Sequence, residues 1–204
     1  MTFDTWLDRH NYTELPRCSD PAQAWNTCAD VSILLRLLRD IGYAEHLKLR
    51  SFAAWLARRS AHLVPPTNVP ITRCLDTADA YGAGLATEAE LRKAHYYASL
   101  IARGIHERGH ASVAFEAANA VCHACGFAWR GSDRLALSAI TAASQAAEEA
   151  RRALHIDCLP PGAQWWRNRS DVWAREAAAQ VAELRRRIPW AEIEPLFAAA
   201  LATA

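Results

Sequence analysis

The residues His106-Glu107-Arg108-Gly109-His110 carry the sharpest chemical pattern in the chain. On a helix, positions i and i+4 share a face. His106 and His110 would then offer two imidazoles to one zinc ion, with Glu107 placed to take a proton from metal-bound water. That pattern is the one a zinc-dependent hydrolase uses. Three features oppose it. Arg108 puts a cation at an inner position that such motifs keep uncharged, and Gly109 weakens the helix that must hold the ligands. No third ligand stands out either: His123 lies roughly 20 Å further along a straight helix, and Glu116 is rotated off the histidine face. His95, His155 and Asp79 remain as donors from other helices. The simpler reading is a pair of polar surface histidines beside a kink.

Cys122-His123-Ala124-Cys125 is half of a structural zinc site or a redox pair by spacing alone. Cys158 does not supply a second pair, so the two thiols read as small side chains in a tight helix contact. Asp76 and Asp79 lie one helical turn apart and read as a solvated face. Trp165-Trp166-Arg167-Asn168-Arg169 mixes aromatics with cations, as binders of single strands do. It also suits a protein-facing surface, and Trp165, Trp166, Arg167 and Arg169 are the candidate interaction residues. Arg185-Arg186-Arg187 sits where cations favour a helix C-terminus. Glu148 and Glu149 pair at helical spacing with Arg151 and Arg152. The chain carries no glycine-rich phosphate loop and no nucleophile elbow.

The elements that must position these residues are helices. Alanine supplies 43 of 204 residues, and it is the strongest helix former because it loses no side-chain entropy. Asp20-Pro21 starts a short helix to Cys28. Asp30 caps Val31 to Ile41, stopped by Gly42. Further helices are expected over Ala44–Leu63, Ile71–Tyr81 and Glu88–Arg103, the last opened by the capping box Thr87-Glu88-Ala89-Glu90. Gly104 and Gly109 bracket a break before a helix to Trp129. Asp133–His155, Asp171–Arg187 and Trp190–Leu201 follow. No period-2 strand pattern of useful length occurs. Pro160-Pro161-Gly162 is the clearest linker, dividing an alanine-rich part, 1–158, from C-terminal helices, 159–204, expected to pack on the same core.

Net charge is +1, from 23 basic and 22 acidic residues. This balance argues against a dedicated nucleic-acid or membrane-surface protein. No apolar run is long enough to span a bilayer, and Met1 to Trp6 has neither a basic nor an apolar leader region. The six cysteines are irregularly spaced, as in reduced cytoplasmic proteins.

Trp25-Asn26-Thr27-Cys28, Ile33 to Leu38, Lys48 to Ala53 with Ala57-Arg58-Arg59, Leu75 to Tyr81, Gly84 to Leu91 and Ala179 to Arg186, in this order, resemble a group of alanine-rich helical proteins of bacteria and phages. Some members are labelled immunity proteins. The likeness spans roughly Trp25 to Arg187. It departs at Ala83, where the group has an acidic turn residue, and in the His and Cys of the middle helices. The resemblance implies an intracellular helical binding protein that neutralises a toxin or belongs to a mobile element, and it brings no catalytic residues.

The expectation is therefore an all-α, single-domain, cytoplasmic protein. Its form is a bundle or a loose HEAT-like array of seven to nine helices that binds a protein partner and needs no cofactor. The alternative is the zinc hydrolase, with His106 and His110 as ligands and Glu107 as general base.

Overall fold

The computed structural model describes residues 1–15, 20–66, 70–108, 112–126, 135–159 and 171–203. Among these the chain is all helix and turn. The helices are α1 (Phe3–Arg9), α2 (Pro21–Thr27), α3 (Val31–Asp40), α4 (His46–Arg58), α5 (Ile71–Gly82), α6 (Glu88–Glu107), α7 (Ser112–Cys125), α8 (Leu135–Asp157), α9 (Asp171–Arg187) and α10 (Trp190–Thr203), with a 3-10 turn at Ala61–Leu63. No helix among the described residues is long and apolar enough to cross a membrane.

The capping chemistry read from sequence is present. Asp20 accepts from Ala22 N at 2.9 Å and Asp30 from Ser32 N at 2.7 Å. Thr87 and Glu90 form the reciprocal capping box. α1 adds a helix to those expected. Thr2 caps it, and Phe3, Trp6 and Leu7 bury one face. Several boundaries moved, three of them for clear local reasons. α4 stops at Arg58 because the Ser60 hydroxyl bonds Ala57 O at 3.3 Å and competes with the helical ladder. α6 runs straight through Gly104, since Ala102 and Ile105 bury there and outweigh glycine's cost of about 1 kcal/mol. α7 ends at Cys125 rather than Trp129, because Gly126 closes it by bonding back to His123 O at 2.9 Å.

Alanine sets how closely the central helices approach. Ala117, Ala118, Ala120 and Ala124 of α7 are fully buried, as are Ala139, Ala143, Ala146, Ala147 and Ala150 of α8. α4 lies against α5, α7, α8 and α9, and α7 against α5, α6 and α8. An open helical array joins each repeat only to its neighbours. Contact between α4 and α8 makes this a closed bundle instead. Leu34, Leu35, Leu37 and Leu38 of α3 are all buried, each stabilising the fold by about 1.5–3 kcal/mol.

The last helices tie back to the first. Arg185 donates from Nε to Trp25 O at 2.9 Å and from Nη2 to Cys28 O at 2.6 Å, so its guanidinium caps the carbonyl end of α2. Glu192 of α10 accepts from Tyr43 Oη and Lys48 Nζ, each at 2.6 Å. Glu176 of α9 is buried and holds Arg59, the C-cap of α4, through two bonds of 2.6 and 2.7 Å.

Candidate functional site

The histidine motif straddles a helix end. His106 and Glu107 close α6, Arg108 is its C-cap, and His110 lies outside the described residues. His106 is exposed, and its ring packs against Phe115 of α7 with centroids 5.1 Å apart. Glu107 faces Arg103 at 3.8 Å on the open surface. A zinc motif relies on one continuous helix to place i and i+4 together, and α6 ends three residues before His110. Trp165, Trp166, Arg167 and Arg169 also lie outside the described residues, with the Pro160-Pro161-Gly162 linker.

Of the cysteine pair, Cys125 is in the interior and Cys122 is half-buried against it. Cys125 is buried and its thiol donates to Cys74 O on α5 at 3.5 Å. Cys122 Sγ lies 3.6 Å from His95 Nδ1, and that nitrogen is also 3.0 Å from Cys122 O. Burial pushes the Cys122 thiol up to about 11 and raises Cys74 and Cys125 as well. These sulfurs stay protonated at neutral pH and are poor nucleophiles. Burial, then His95 beside it, lowers His123, which bonds Gln145 of α8. Arg50, buried on α4, donates to Gly126 O and to Ser138 Oγ at 2.7 Å. Among the described residues no three His, Cys, Asp or Glu side chains converge as a metal would require.

The charged helix pairs read from sequence exist, and the fold extends them. Arg151 bonds Glu148 at 3.0 Å, and Arg152 bonds Glu149 at 3.3 Å and Glu148 at 3.4 Å. Arg152 also reaches across to Glu116 of α7 at 3.4 Å. Asp76 and Asp79 are not free: Arg58 of α4 holds both, Asp76 at 3.0 Å. Arg186 and Arg187 clasp Glu183 and hold its carboxyl down at about 2.

A cleft of about 590 Å³ opens between α5 and α6. Cys74, Ala80, Ala86 and Ala94 line its apolar part, and Leu85, in the turn joining the helices, stands at its edge with 83 % of its surface exposed. The turn is shaped by Gly84 at φ +73°, a conformation costly for other residues. Arg73 of α5 and Lys93 of α6 also line the cleft, and both are exposed. The sequence offered one signal here, a bulky apolar residue in a turn between two capped helices. Nothing in the spacing links Arg73 to Lys93. Compared with known protein families, curated proteins and solved structures, the chain matches none.

Proposed function

We propose that this chain is a non-catalytic helical protein-interaction module, immunity- or antitoxin-like and acting in the cytoplasm, with the α5–α6 face as its working surface. The observation that carries the reading is Leu85. Its side chain stands 83 % exposed at the edge of a cleft of about 590 Å³, where it adds apolar area to the concave surface. Tyr96, on the next helix, is 59 % exposed. Exposed apolar groups rimmed by charge are what partner surfaces use. Trp165, Trp166, Arg167 and Arg169 are a second candidate patch of the same module.

The test is reconstitution of a partner found by copurification. A purified 1:1 complex with the wild-type chain, weakened about tenfold or more by Leu85→Glu, is the expected result. Zinc at one per chain, lost in His106→Ala and accompanied by hydrolysis that stops in Glu107→Gln, would replace this reading with the hydrolase. Failure to reconstitute a complex with any copurified protein also overturns it.

A further inference from the structure

We draw no further inference here: the strongest candidate, the cavity of about 450 Å³ that the α2–α3 turn and α9 form beside the buried Arg151 of α8, is lined by Glu14 and Asp30 as well as by that arginine and Trp173, so nothing in the structure shows what occupies it.

Discussion

Burial, with the Glu116 carboxyl that shares a hydrogen bond with it, pushes the Glu149 carboxyl up to about 8. Three carboxyls, Glu116, Glu148 and Glu149, meet two guanidinium groups, Arg151 and Arg152, across α7 and α8. One proton balances the cluster. An unfolded glutamate releases its proton near 4.5. Between these values the native state binds more protons than the unfolded one, so this group's contribution to stability falls as pH rises from about 4.5 to about 8. Glu149→Gln is expected to flatten that slope and to melt several degrees higher than wild type at pH 9; a thermal melt across pH 5–9 checks it, and an unchanged slope would refute the proton sharing. The helical pairs within this cluster were readable at i+3 and i+4. Glu116 was not, because only the packing of α7 on α8 brings it there.

At the scale of elements, two helical glycines answer an added methyl in opposite ways. Gly82 ends α5 where it crosses α4: a Cβ there would lie 2.7 Å from the Ser51 backbone N and 2.8 Å from its Cα. Neither atom can move without shifting a helix. Gly82→Ala should destabilise the chain by about 1–3 kcal/mol. Gly104 lies inside α6, where a Cβ would meet only the Arg108 guanidinium at 3.5 Å, an ordinary contact. Gly104→Ala should stabilise by up to about 1 kcal/mol. Urea unfolding of the two variants separates them, and equal effects would show that helix propensity alone governs both sites. Capping residues and apolar spacing made α2 to α10 legible, although their ends shifted. α1 was missed because seven residues give too little periodicity, even with Thr2 in the capping position.

For the whole molecule, closure rests on long-range hydrogen bonds from arginine that composition cannot reveal. Arg185 was read as a dipole-favouring cation at a helix end. It does lie in the last turn of α9, and it also supplies the donors for Trp25 O and Cys28 O, 160 and 157 residues away. Arg185→Ala should cost about 1.5–3 kcal/mol, the range for hydrogen bonds from a charged group. Denaturant melts would show it, and a loss within error would mean that water replaces the guanidinium. The all-α class was legible because every segment agreed on it. Which helices meet was not, since no local pattern says that α9 returns to α2 and α4.

The same bonds set an order of events during synthesis. A ribosome delivers α2 and α3 early, yet the carbonyl end of α2 receives its guanidinium cap only when residue 185 has been made. Tyr43 and Lys48 likewise wait for Glu192. Domains that rely on such distant contacts complete their structure late. The nascent chain therefore leaves the carbonyl end of α2 uncapped until α9 has emerged, and the leucines of α3 await α8 and α9; chaperone demand should peak over that interval.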